Sequence, residues 1–131
     1  MSLLSKYIKE VEQDLVLNDF NIKETQLRLP AKKHFWVARL IEAKRDLQDL
    51  TDKEKKMTKV LSTKIKEQSP VTLSDKTVLN LIDEQEEIAS IKEKKRDLTN
   101  VVEYLEKVEK IFGSMHWEIK NIVDLGKLET L

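Results

Sequence analysis

Six lysines crowd into fourteen residues: Lys53, Lys55, Lys56, Lys59, Lys64 and Lys66. Lys55, Lys59 and Lys66 fall at i, i+4 and i+11, one stripe of a helix, with Ser62 filling the gap. Lys53 and Lys56 lie on an adjoining face. The acidic groups nearby are Asp52, Glu54 and Glu67. A lysine row of this kind can neutralise backbone phosphates and release counterions, giving sequence-independent, salt-sensitive binding. It is also the pattern of a solvated helix face. No aromatic residue occurs between positions 37 and 103, so no stacking platform for bases accompanies the lysines.

Little else in the sequence could do chemistry. His34 and His116 are 82 residues apart, and neither belongs to an HExxH or His-x-Asp arrangement. The carboxylates sit in mixed-charge runs such as Asp83-Glu84-Gln85-Glu86-Glu87, which read as solvated helix faces. There is no cysteine, hence no disulfide, thiolate nucleophile or Cys-based zinc site. Glu-x-x-His pairs of a di-iron bundle are missing, as are a Gly-rich phosphate loop and a serine nucleophile elbow. The expectation is a protein that is not an enzyme, with no catalytic residues, no metal and no cofactor.

The elements that must carry the lysines are helical. The chain has 131 residues, 37% charged and 40% hydrophobic. Glycine and proline together number four, against about sixteen at average usage. That excludes β-sandwich, collagen and loop-rich disulfide designs, and disfavours glycine-dependent nucleotide folds. Formal charge is zero overall, yet residues 1–70 hold 15 basic and 11 acidic groups, while residues 71–131 hold 9 and 13. Such a split can mark a polyanion-binding region or complementary packing of helices. No run of apolar residues is long enough to span a membrane, and the acidic Glu10, Glu12 and Asp14 make residues 1–14 a poor signal peptide. A soluble, intracellular chain is expected.

Apolar spacing predicts a short helix over 2–16, with Leu4, Ile8, Val11 and Leu15 on one face. Residues 17–29 are less regular, with a turn or N-cap at Asn18-Asp19 and a break at Leu29-Pro30. A long helix follows from about Pro30 to Gln68. Its seam is Trp36, Leu40, Ala43, Leu47, Leu50, Glu54, Met57 and Leu61, with Glu54 as its polar interruption. Ser69-Pro70 ends it, and Ser74 or Asp75 caps a second long helix over about 75–112. The second seam is Leu81, Glu84, Ile88, Ile91, Lys95, Leu98, Val102, Leu105, Glu109 and Phe112. The two helices should form an antiparallel hairpin. Gly113-Ser114 predicts a kink or turn before a C-terminal helix bearing Trp117, Ile119, Ile122, Val123 and Leu125. That helix is apolar on nearly every side, so it should complete the core or dock on another subunit, with Phe112 in support. The predicted organisation is all-α: one helical domain over 1–131, made of an N-terminal region 1–29, a hairpin 30–112 and an assembly helix 113–131.

Several segments resemble the UvsY family of phage recombination mediators. The run Val102-Glu103-Tyr104-Leu105-Glu106-Lys107-Val108, followed by Trp117-Glu118-Ile119-Lys120-Asn121-Ile122, is similar to the family's C-terminal pattern. Glu12-Gln13-Asp14 and Leu29-Pro30, with His34 shortly after, resemble its N-terminal layout. Lys64-Ile65-Lys66 is the nearest match to the family's basic pair. Glu67-Gln68-Ser69-Pro70 stands where members carry an aromatic pair and a glycine turn, and Met115-His116 where they carry Arg-Gly. The resemblance implies a homo-oligomer, ring-like and hexameric or heptameric, that binds single-stranded DNA. It also implies contact with a single-stranded-DNA-binding protein and loading of a RecA-like recombinase during recombination and repair, in the cytoplasm of an infected bacterium. The lysines named above would contact DNA, and Phe112, Trp117, Ile119, Ile122, Val123 and Leu125 would join subunits. A coiled-coil scaffold or adaptor without nucleic-acid binding is the alternative reading.

Overall fold

A computed structural model describes residues 2–15 and 22–129. Among the described residues there are four helices: α1 Leu3–Asp14, α2 Ile22–Gln68, α3 Asp75–Asp83 and α4 Glu86–Glu129. The fold is all-α, with α2 and α4 paired antiparallel behind a short N-terminal helix, as the seams predict. The turn expected at Asn18-Asp19 lies outside the described residues. The chain divides into two compact units, the first made of Met1–Ala43 with Asn100–Leu131, the second of Lys44–Thr99.

In the first unit three helical segments enclose the core. α1 is capped by Ser2, whose side-chain oxygen accepts from the Ser5 N–H at 3.1 Å, satisfying one of the orphan donors of a helix start. Its predicted face turns inward: Val11 is buried and Leu4, Ile8 and Leu15 are half-buried. From α2 come Leu29, Trp36, Leu40 and Ala43, and from α4 Val101, Val102, Leu105, Val108, Phe112, Met115 and Ile119.

Two expected breaks are absent here. α2 begins at Ile22 and runs through Pro30, so the segment upstream of the proline is helix rather than irregular. A proline inside a helix costs about 3 kcal/mol. Pro30 and Gln26 are both exposed, so the carbonyl that lacks an N–H partner is on the wet side. Burial of Thr25 and Leu29 on the other side holds the segment helical. Gly113-Ser114 likewise leaves α4 continuous to Glu129, so residues 113–129 extend the second long helix instead of forming a separate one. A helical glycine costs about 1 kcal/mol. Burying Phe112, Met115 and Ile119 on one continuous face contributes about 1.5–3 kcal/mol each.

The second unit is a two-helix stem with a small cap. The seam of α2 is only half-buried at Leu47, Leu50, Met57 and Leu61. Beyond it, Val78, Ile82 and Ile88 form a buried cluster against Met57, Leu61, Ile65 and Leu73. Ser74 caps α3, its side-chain oxygen accepting from the Thr77 N–H at 3.2 Å. The helix predicted over 75–112 is interrupted at Glu84-Gln85. An unbroken helix at about 100° per residue would leave Val78 and Ile82 roughly a third of a turn away from Ile88 and Ile91. The break brings both sets inward, and it leaves Leu81 half-buried and Glu84 exposed where the predicted seam put them inside. Gln85 covers the end of α3 by donating its side-chain amide to the Leu81 carbonyl at 3.3 Å.

The polar interruptions of the two seams meet. Lys95 donates to Glu54 at 2.9 Å, with side chains 29% and 22% exposed. A half-buried pair of this kind opposes slippage of α2 along α4, because any shift leaves one charge facing apolar groups. Glu109, the third polar residue on the predicted seam, is exposed, and Val108 is buried in its place. An α-helix drifts about 20° per heptad against a 3.5-residue repeat, which moves the inward face toward 101, 105, 108, 112, 115 and 119.

Candidate nucleic-acid interface

The basic face belongs to α2 in the second unit. With Met57, Leu61 and Ile65 turned to the cap cluster, the 3.6-residue period sends the lysines outward. Lys53, Lys55, Lys56, Lys59, Lys64 and Lys66 are all exposed. Lys53 and Lys56 line a shallow depression with Asp49, Asp52, Met57 and Val60. Lys59 and Lys64 line another with Val60, Thr63 and Glu67. Lys66 is drawn toward Asp75, 3.8 Å away, and Gln48 donates to Asp52 at 3.0 Å. Among the described residues, Lys53, Lys55, Lys56, Lys59 and Lys64 form no ion pair.

Two neighbours of this face escape a reading of charge alone. Val60, 65% exposed, lies in both depressions between the lysine pairs. It offers an apolar contact where no aromatic exists. Lys94 of α4 shares a groove with Lys53, Met57, Glu86, Glu87, Ser90 and Ile91. The sequence signal for Lys94 is the register: pairing Glu54 with Lys95 sets position 94 beside position 53. On the cap, Asp83 accepts from Lys92 at 2.7 Å, and that hydrogen bond raises the Lys92 pKa from its ordinary value.

The residues expected at subunit contacts divide by burial. Phe112 and Ile119 are in the core of the first unit and Val123 is half-buried. Trp117 is 62% exposed, Leu125 60% and Ile122 37%. The Lys120 ammonium lies 5.2 Å from the Trp117 ring centroid, within cation–π range.

A separate polar cluster, unsuspected from sequence, fastens α1 to α2. The Arg39 guanidinium pairs with Glu10 and lies 4.7, 4.3 and 5.0 Å from the ring centroids of Tyr7, Phe35 and Trp36. The Trp36 indole N–H donates to Asp14 at 2.9 Å, and Lys32 donates to the Asp14 carbonyl at 3.4 Å. No single spacing signals it, because its members come from two helices.

Among the described residues, no group of three or more His, Cys, Asp or Glu side chains is placed to hold a metal ion. No helix among them is long and apolar enough to cross a membrane. The molecule is an all-α protein of paired long helices with an exposed, lysine-rich face on α2. Proteins of this architecture include the bacteriophage T4 recombination mediator protein UvsY. One crystal form of UvsY matches with a TM-score of 0.83 over 96% of this chain and 98% of that chain. A second matches with a TM-score of 0.83 over 100% and 99%. Sequence identity is 11% in both, so the likeness is one of fold. No family model matches the chain, and no curated protein matches it in sequence. The fold is UvsY-like along nearly the whole chain.

Proposed function

We propose that this protein is a recombination mediator that acts without chemistry of its own. It binds single-stranded DNA through the lysine face of α2 and promotes loading of a RecA-like recombinase in place of the single-stranded-DNA-binding protein. The observation that carries the reading is the near full-length structural match to a recombination mediator. The exposed lysines supply a matching chemistry. Lys53, Lys55, Lys56, Lys59, Lys64 and Lys66 neutralise phosphates, and Val60 contacts sugar or base without reading it. Each subunit offers few contacts, so affinity depends on several subunits engaging one strand. Exposed Trp117, Ile122 and Leu125, over Phe112, Ile119 and Val123, join subunits into a homo-oligomer.

The test is fluorescence anisotropy with labelled poly(dT) at about 50 and 300 mM salt, the range over which phosphate contacts weaken. Binding should fall steeply with salt. Replacing Lys59 and Lys64 together by Ala should weaken binding and reduce the log–log salt slope by about 1.4, at roughly 0.7 per single-strand phosphate contact. Absence of binding at the lower salt would remove DNA from the reading and leave a helical scaffold.

A further inference from the structure

Three hollows along the stem of the second unit share walls. The one lined by Lys59, Thr63, Lys64 and Glu67 meets the next at Val60. That one, with Lys53 and Lys56 on its sides, meets the third at Lys53 and Met57. The third leaves α2 and crosses to α4, where Ser90, Ile91 and Lys94 line it. Together they make one track. It follows α2 from Lys64 to Lys53, about 16 Å at 1.5 Å per residue, and then passes over the seam. Its apolar members are Val60 and Met57 from α2 and Ile91 from α4.

Lys53 and Lys94 line the crossing from opposite helices, and among the described residues neither forms an ion pair. Other lysines of the unit do: Lys66 reaches Asp75, Lys92 reaches Asp83 and Lys95 reaches Glu54. Carboxylates are not lacking. Asp49 and Asp52 stand near Lys53, and Glu93 and Asp97 near Lys94, all exposed. Glu86 and Glu87 line the far end of the groove itself. Glu87 is seven residues before Lys94, about 10 Å along the helix, roughly one Debye length at 0.1 M salt. Both glutamates also complement the positive end of the α4 dipole. The groove is therefore polarised, cationic beside the lysine face and acidic where α4 begins. Two ammonium groups lining one groove repel each other, and an anion between them replaces that repulsion with attraction.

We infer that Lys94 of α4 is a phosphate contact for single-stranded DNA, and that the strand runs from Lys64 past Val60, Lys56 and Lys53 and crosses the seam to Lys94. This rests on the single-stranded-DNA binding proposed above and adds its path. The four lysines track the backbone, while sugar and base edges lie over Val60 and Met57. Glu86 and Glu87 repel phosphate, so the strand leaves the groove before the start of α4. Packed helices have axes about 8–10 Å apart, so the crossing admits one backbone and excludes the body of a duplex. A duplex touches the outer lysines of α2 and does not reach Lys94. Lys94 thereby favours single strands over duplex.

The experiment compares full-length Lys94→Ala with Arg96→Ala. Arg96 is exposed on the same helix, about 160° round from Lys94. Both variants lose one positive charge, and only one loses it from the track. Circular dichroism verifies that both fold. Fluorescence anisotropy reads binding to labelled poly(dT), and to a labelled duplex of equal length, at about 50 and 300 mM salt. On poly(dT) the log–log salt slope of Lys94→Ala should be less steep by about 0.7 for each subunit on the strand. For one subunit, the fall in affinity over this roughly sixfold rise in salt then shrinks about 3.5-fold. Arg96→Ala should keep the parent slope, and duplex binding should be the same in all three proteins. A Lys94→Ala slope equal to the parent's overturns the crossing. So does an equal change in both variants, which marks a general charge effect, or a parallel loss on the duplex. A parent chain that fails to bind poly(dT) at the lower salt overturns the DNA-binding function itself, whatever the variants do.

Discussion

The two units are made from the same pair of helices, yet they bury them to different depths. In the first, α1 lies against α2 and α4, and Trp36, Leu105, Val108, Phe112 and Ile119 are each 1% exposed. In the second there is no third long helix. The seam of α2 stays half-buried there, and full burial is confined to Val78, Ile82, Ile88 and Ile91. The outer side of α2 differs in parallel, apolar over 27–41 and lysine-rich over 53–66. A two-helix stem has little interior to protect, so it can present charge outward and use the Glu54–Lys95 pair to hold register. The three-helix unit has the deeper core and still leaves apolar side chains such as Leu27, Ile41 and Trp117 exposed. Deep burial and outward charge are thereby placed in different parts of one helix.

The largest predicted effect tests the difference in depth. Trp36→Ala removes a buried indole, its bond to Asp14 and its contacts with Tyr7 and Phe35. It should cost about 4 kcal/mol in denaturant unfolding. Leu61→Ala, on the half-buried seam, should cost only about 1–2 kcal/mol, because the side chain already meets water. Equal costs would mean that the second unit is as tightly packed as the first, and the contrast would collapse.

The contrast was partly legible in the sequence. The seam of α2, from Trp36 to Leu61, turns inward at every predicted position, with Glu54 as its polar member. That succeeded because a 3–4 apolar period reports a buried helix face directly. Pro30, Gly113 and the Glu84-Gln85 junction misled for one shared reason. Local propensity is worth about 1–3 kcal/mol, and several buried side chains outweigh it. The helix therefore continues where its neighbours on one face are buried, and breaks where the phase of the inward residues changes. At the candidate interface, the lysines were visible as a run, but Val60 and Lys94 become relevant only through how α2 and α4 fold. The cluster around Arg39 depends wholly on tertiary placement, since Glu10 and Asp14 come from α1.

A smaller effect is expected at the register pair. Glu54→Leu or Lys95→Leu alone leaves a half-buried charge without its partner and should cost about 1–2 kcal/mol, less than full burial would impose. The double substitution should return stability to within about 1 kcal/mol of the parent, since two leucines extend both seams. A double-mutant cycle by denaturant unfolding isolates the coupling. Additive single costs would show that Glu54 and Lys95 act independently, leaving the second unit without the polar constraint argued for it.

The smallest effect separates the units by pH. Tyr104, half-buried in the first unit, has its phenol pKa raised, chiefly by burial and further by the charge of Glu12. A folded-state pKa above the unfolded one means that the folded chain binds this proton more tightly. The stabilisation is complete below the unfolded phenol value, about 10, and is lost as pH rises through the folded value. Lys92 in the second unit shifts in the same direction, but through a surface hydrogen bond to Asp83 that water and salt weaken. Tyr104→Phe should therefore flatten the alkaline fall of the thermal midpoint measured from about pH 9 upward, and Lys92→Met should flatten it less. Glu12→Gln is the control, since it removes the lesser cause and leaves burial in place. The reverse order would show that the alkaline sensitivity lies in the cap of the second unit and that the half-buried phenol of the first contributes little to it.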